Sequence, residues 1–224
     1  MKGLLYKDAA ILLKSYKRNV LYIMLLYAIL VLMSREPYLA YAMTFIWGLY
    51  VPSTISFDEQ AHWDTFASTL PVSPKQIVGT KYILSLGCTA LGGVCTLLIL
   101  ALLPLTSVMW RAEPLPEPAE CFAGILVSAM VSLFVAALTL PISYKFGGAR
   151  ARSYVGIACI ALFGVILLAF QFAGDKQRAA VGVNLHAISD QEISLGLLLG
   201  FAAILLLYAI SYTICVRIYA KKEK

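Results

Sequence analysis

Residues 82–110 read YILSLGCTALGGVCTLLILALLPLTSVMW, 29 residues without one Asp, Glu, Lys, Arg or His. A helix needs about 20 apolar residues to cross a hydrocarbon core of roughly 30 Å. This run therefore reads as a membrane span, and it is not alone. Further uncharged stretches cover residues 19–34, 38–57, 121–144, 153–174 and 193–216, so 135 of 224 residues lie in six such runs. Only hydrogen-bonded helices or closed barrels cross lipid without orphaned backbone groups. The runs lack the two-residue alternation of barrel strands. The fold class expected is all-α and polytopic, with six transmembrane helices in one membrane domain over residues 1–224. A hydrophobic fraction of 61% agrees, against about 45–50% for soluble domains.

The net charge of +6 suggests nucleic acid only until it is distributed along the chain. With the N-terminus inside, the inner segments hold 14 of the 18 Lys and Arg residues. The outer ones keep only Arg35, Arg111, Lys176 and Arg178. The positive-inside rule then places both termini in the cytoplasm. The basic excess serves orientation and attraction to anionic lipid headgroups, and no nucleic-acid partner is expected. Cys88, Cys95, Cys121, Cys159 and Cys215 have no metal-ligand spacing; they read as small packing residues, and no metal site is expected. The N-terminus is not a signal peptide, because Lys7, Asp8 and Lys14 interrupt its apolar positions.

Residues 3–18 form an amphipathic pattern. Leu5, Ala9, Leu12, Leu13 and Tyr16 gather on one side, with Lys7, Lys14 and Arg18 on the other. An interfacial helix leading through an elbow into span one is expected, either as an anchor or as a lever touching a cytoplasmic partner. In span two, Trp47, Tyr50 and Thr54 share a face, Thr44 lies one turn before it, and Pro52 invites a kink. This suits a helix lining a pathway or one at an interface. Gly196 and Gly200 make one G-x-x-x-G pair in span six. The outer segments 106–120 and 175–192 have no single conformation legible in their residues.

The inner connector after span two, FDEQAHWDTFASTLPVSPKQIVGTKYI from Phe57, is the longest and the only acidic one. A helix is expected over residues 58–70, with Asp58 and Glu59 at its positive N-terminal end. Trp63, Phe66 and Leu70 would supply an aromatic and apolar edge. Ser73-Pro74-Lys75-Gln76 then restarts a helix, with Ser73 as N-cap, Pro74 at the first helical position and Gln76 completing a capping box. Such a short helix either rests Trp63 in the headgroups or receives force from a cytosolic machine.

The acidic pair Asp58-Glu59, Trp63 four residues on, Leu70-Pro71-Val72-Ser73, Lys75 and Lys81-Tyr82 resemble a familiar pattern. It is that of the membrane-permease subunits of type-2 ABC exporters, particularly the small six-span kind similar to exporters of phenol-soluble modulins and antimicrobial peptides. The opening MKGLLYKD resembles the same group. The family pattern often has a basic residue where this chain has Pro74, and Lys75 remains. The resemblance implies that residues 58–70 are a coupling helix, with Asp58, Glu59, His62, Trp63, Phe66, Leu70 and Lys75 meeting a separate cytoplasmic ABC ATPase. It implies a second permease chain, identical or paralogous, in a bacterial cell membrane. A substrate path lined by spans one, two and five would include Tyr27, Thr44, Trp47, Tyr50 and Thr54, with a peptide or other hydrophobic substrate.

No catalytic residues are expected. The chain has no phosphate-binding G-x-x-x-x-G-K-[ST]; Gly79-Thr80-Lys81 lacks both its upstream glycine and its final hydroxyl residue. ATP and Mg would sit on the partner, and this chain would need no cofactor. His62 and His186 lie in opposite-side loops, which excludes a zinc protease, and charge-free spans argue against ion-coupled transport. The alternatives are a non-transporting immunity or sensor accessory protein, or a permease for lipids or drugs.

Overall fold

A computed structural model describes residues 2–34, 38–67, 69–107, 118–148 and 190–222, together with 150, 151, 153, 154 and 157. Among these residues the long elements are all helical. The helices are α1 (Lys2–Ser34), α2 (Tyr38–Leu49), α3 (Val51–Gln60), α4 (Trp63–Ala67), α5 (Pro74–Ser107), α6 (Pro118–Phe146) and α7 (Asp190–Lys222). Among the described residues four stretches are long and apolar enough to cross a membrane: Lys2–Met33, Pro74–Leu102, Pro118–Phe146 and Leu195–Lys221. Most of the predicted span 153–174, and the outer segments over 108–117 and 175–189, lie outside the described residues.

The elbow expected between residues 3–18 and span one is absent. The helix α1 continues through Arg18 and Asn19 to Ser34, because no proline or glycine after Gly3 interrupts its hydrogen-bond ladder. In its N-terminal half the buried positions are Leu4, Asp8 and Leu12, a four-residue spacing that puts a carboxylate at the centre of the packed face. Leu13, assigned by pattern to the apolar side, is 65% exposed.

The predicted kink in span two is present as a break between α2 and α3 at Tyr50. Pro52, near the start of α3, has no N–H to give to the preceding turn. The backbone there tightens instead, with Tyr50 N–H donating to Trp47 and Ser53 N–H to Tyr50. The side chains of Ser53 and Thr54 donate to the carbonyls of Tyr50 and Val51. One half of the expected capping box is present. The helix α5 starts at Pro74, and Ser73 N–H donates to Gln76 Oε1 at 3.3 Å.

Packing orients the helices. Leu4 of α1, Ile55 of α3, Ile77 of α5, Leu140 of α6 and Tyr219 of α7 share one core cluster. Val31, Ala40, Met43, Ile99 and Leu100 form another, joined by Ile125. The first unites the starts of α1 and α5 with α3 and the ends of α6 and α7; the second unites the ends of α1 and α5 with α2 and the start of α6. Thus α6 and α7 run in the same sense, with Ser211 Oγ donating to the Ala137 carbonyl at 2.5 Å.

Small residues let α2 cross α5 closely. A Cβ on Gly92 would lie 2.8 Å from Thr44 Cα and 3.0 Å from Trp47 Cβ. Thr44 and Thr96 hydroxyls meet at 3.0 Å, and Thr96 also donates to the Ala40 carbonyl at 3.0 Å. The G-x-x-x-G pair in α7 behaves differently: Gly200 faces Met130, while no described residue lies within 4 Å of a Cβ built on Gly196.

Candidate functional site

The helix predicted over residues 58–70 is two pieces. Asp58 and Glu59 occupy the last turn of α3, because the helix of span two continues past its last uncharged residue. They thus lie at a helix C-terminus, where the macrodipole opposes negative charge, and other groups must neutralise them. Ala61 closes the helix, and His62 takes a left-handed conformation with φ +50°. That residue ends α3, and α4 leaves in a new direction.

The compensation for Asp58 is an ion cluster. Lys81 Nζ, at the start of α5, lies 2.5 Å from Asp58 Oδ2 and 2.8 Å from Asp8 Oδ1 of α1. Lys7 Nζ lies 2.7 Å from Asp58 Oδ1 and 3.1 Å from Asp8 Oδ1. The quartet has no net charge and ties three helices together. Asp8 and Lys81 are 1% and 2% exposed. Removing one member would strand an opposite charge in a poorly hydrated site, at a cost of about 3–5 kcal/mol.

Glu59 is compensated separately. Its two carboxylate oxygens accept from Gly148 N–H at 3.0 and 2.9 Å. Gly147 has φ +92°, which turns the chain after α6 so that the amide reaches Glu59. The last turn of α3 is therefore bound to α1 and α5 through Asp58 and to the end of α6 through Glu59.

Trp63 opens α4 with its ring beneath Lys7 Nζ, 3.9 Å from the centroid. A cation over an indole face contributes about 0.5–2 kcal/mol. The indole also packs on the core cluster containing Leu4 and Ile77. Phe66 stacks at 5.3 Å from Trp63 and is 56% exposed. Leu70 joins Trp63, Val72, Leu4 and Lys7 around an open cavity of about 310 Å³. Asp58 and Trp63 thus converge on Lys7, Glu59 sits one residue away on Gly148, Phe66 points outward, and Leu70 is half-buried beside Trp63 and Leu4. His62 is exposed at the turn. Lys75 is exposed, and its contribution is a carbonyl that accepts from Tyr212 at 3.1 Å.

The five residues predicted to line a path do not share one surface. Trp47 and Tyr50 border a cavity between α1, α2 and α5, and Tyr50 stacks on Tyr16 at 4.6 Å. Thr44 and Thr54 are fully buried at helix contacts, and Tyr27 packs against the cluster around Val31 and Met43.

Lys7, Asp8 and Lys81 stand in the motifs read from sequence, but their pairing with Asp58 is not legible there. One signal was available: Asp8 falls four residues from both Leu4 and Leu12, on the face that packs. A carboxylate there requires a cation from elsewhere. Among the described residues no group of His, Cys, Asp and Glu forms a metal site.

A family model described as "ABC-2 family transporter protein" matches residues 3–220. No curated protein and no solved structure gives a significant match.

Proposed function

The chain belongs to the ABC-2 family of transporter proteins, and from that membership we propose that it is the permease subunit of an exporter driven by a separate ATPase. Family membership makes it a transmembrane component of transport rather than a catalyst, and it implies an ABC ATPase partner. The rest is our reading of how this chain serves that partner. The chain crosses a bacterial cell membrane six times with both termini in the cytoplasm. The parallel sense of α6 and α7 supports this topology, in which both run from outside to inside.

The observation that carries the proposal is the path of contacts from Phe66 and Trp63 to Lys7, and from there to Asp8, Asp58 and Lys81. The outward edge of α4 is seated against the ATPase. When nucleotide closes the ATPase, displacement of α4 reaches α1 through Trp63 and Lys7, and reaches α5 through Asp58 and Lys81. Nucleotide binds the closed partner selectively, and the cluster passes that bias to the spans. Two permease chains enclose the path, and its cargo is an amphipathic or hydrophobic peptide, for which spans without fixed charge are suitable.

Reconstitution with the ATPase tests this. Trp63→Ala should leave insertion and basal hydrolysis intact while abolishing substrate-stimulated hydrolysis and export. Unchanged export would reduce Trp63 to an interfacial anchor. Parallel assays with an amphipathic peptide, a fluorescent lipid and a hydrophobic dye would identify the cargo class.

A further inference from the structure

The cavity between α1, α2 and α5 has a volume of about 260 Å³ and an almost wholly apolar wall. Along α1 the wall runs from Ala9 to Met24, about 22 Å at 1.5 Å per residue. Trp47 closes one side, and Cys88 and Leu91 of α5 close another. Leu13, Leu21 and Leu91, which belong to its lining, are 65%, 54% and 54% exposed. The groove therefore opens sideways from the helices, towards the hydrocarbon that surrounds a membrane-spanning chain.

Two polar features break this apolar surface. Lys17 is the one charged residue among those lining it, and it has no ion pair among the described residues. The indole Nε1–H of Trp47 is buried with no hydrogen-bond partner there. Lys17 stands midway along the α1 wall, so a matching occupant carries its negative charge at that level, lays an aliphatic chain along the half lined by Val20, Leu21, Met24 and Leu91, and has an acceptor for Trp47 beside that chain.

We infer that the groove holds one acyl chain of an anionic phospholipid from the surrounding bilayer, with the lipid phosphate on Lys17. An ester carbonyl is the acceptor such a molecule offers to Trp47. The match in charge separates this occupant from the others. A neutral lipid leaves Lys17 to water, and the apolar flank of a second copy would cover an uncompensated ammonium. The lipid would fill the space between α1 and the α2–α5 pair, so that α1 rests on a lipid as well as on its ion cluster.

Trp47 supplies the probe. With Trp63→Phe and Trp110→Phe it is the one tryptophan left, and its fluorescence can be read in phosphatidylcholine vesicles doped with either brominated phosphatidylglycerol or brominated phosphatidylcholine. The expected result is a preference of about five-fold for quenching by the anionic lipid, the selectivity of one lysine at an anionic surface. Lys17→Gln, a change at an exposed position, should remove that preference and leave quenching by brominated phosphatidylcholine unchanged. Equal quenching by the two lipids before the Lys17 change would overturn the inference. Absence of quenching by either, with Leu21→Cys forming a disulfide between copies, would assign the groove to a second chain. For the unmodified chain, about one phosphatidylglycerol should survive detergent exchange per polypeptide; none surviving would count against the site.

Discussion

The ion cluster of Lys7, Asp8, Asp58 and Lys81 and the crossing of α2 on α5 at Gly92 hold neighbouring helices by opposite means. At the crossing, backbone meets backbone: a single added methyl on Gly92 would sit 2.8 Å from Thr44 Cα. At the cluster, helices are joined through the ends of long lysine side chains. The crossing has no slack, so α2 and α5 move as one body there. A lysine has a flexible four-carbon stem, so contacts made through its end tolerate a displacement between α1, α3 and α5 that a backbone contact would not. A membrane subunit driven from one end needs both kinds of contact, one to stay rigid and one to yield.

The largest expected effect is at the cluster. Lys81→Met leaves the buried carboxylates of Asp8 and Asp58 with Lys7 alone, and should cost about 3–5 kcal/mol. Thermal aggregation of the detergent-solubilised chain would report it. Exchanging the charges, with Lys81→Asp and Asp58→Lys together, should recover more stability than the two single changes allow by addition. A purely additive result would mean that the pair does not join α3 to α5.

At the crossing, Gly92→Ala should cost about 1–3 kcal/mol, since the added carbon meets backbone that cannot rotate away. A neutral outcome would show that α2 and α5 have room to separate, and would erase the contrast. Gly147→Ala comes next, at about 1–2 kcal/mol for a left-handed conformation. Its Cβ would also approach Glu59 Oε1 to 3.2 Å. The same melting assay would measure it, and Glu59→Gln should partly mask the loss, because the amide no longer needs Gly148 so strongly. The smallest effect belongs to Thr96→Val, which removes the bonds to Thr44 and Ala40. Interhelical hydrogen bonds of this kind average about 0.6 kcal/mol.

Much of the helical fold was legible because membrane helices are set by local composition. The run at 82–110 announced α5, the sequence Ser73-Pro74-Lys75-Gln76 announced its start, and Pro52 announced the break in the second span. The segment over 58–70 was misread for a physical reason. A span was taken to end at its last uncharged residue, but the helix extends to Gln60 because Asp58 and Glu59 find partners from α1, α5 and Gly148. Those partners are distant in sequence, and no spacing rule connects Asp8 to Lys81. Gly196 and Gly200 show the converse: the motif is visible, yet among the described residues only Gly200 meets another helix.

In the proposed mechanism α4 takes its drive from an ATPase and delivers it through Trp63 and Lys7. The most direct test places a photo-crosslinking amino acid at Phe66, on the outward edge of α4, in membranes that contain the ATPase. A covalent adduct with the ATPase subunit, lost when Trp63 is also replaced by Ala, is the result expected here. Crosslinks confined to lipid would contradict the account.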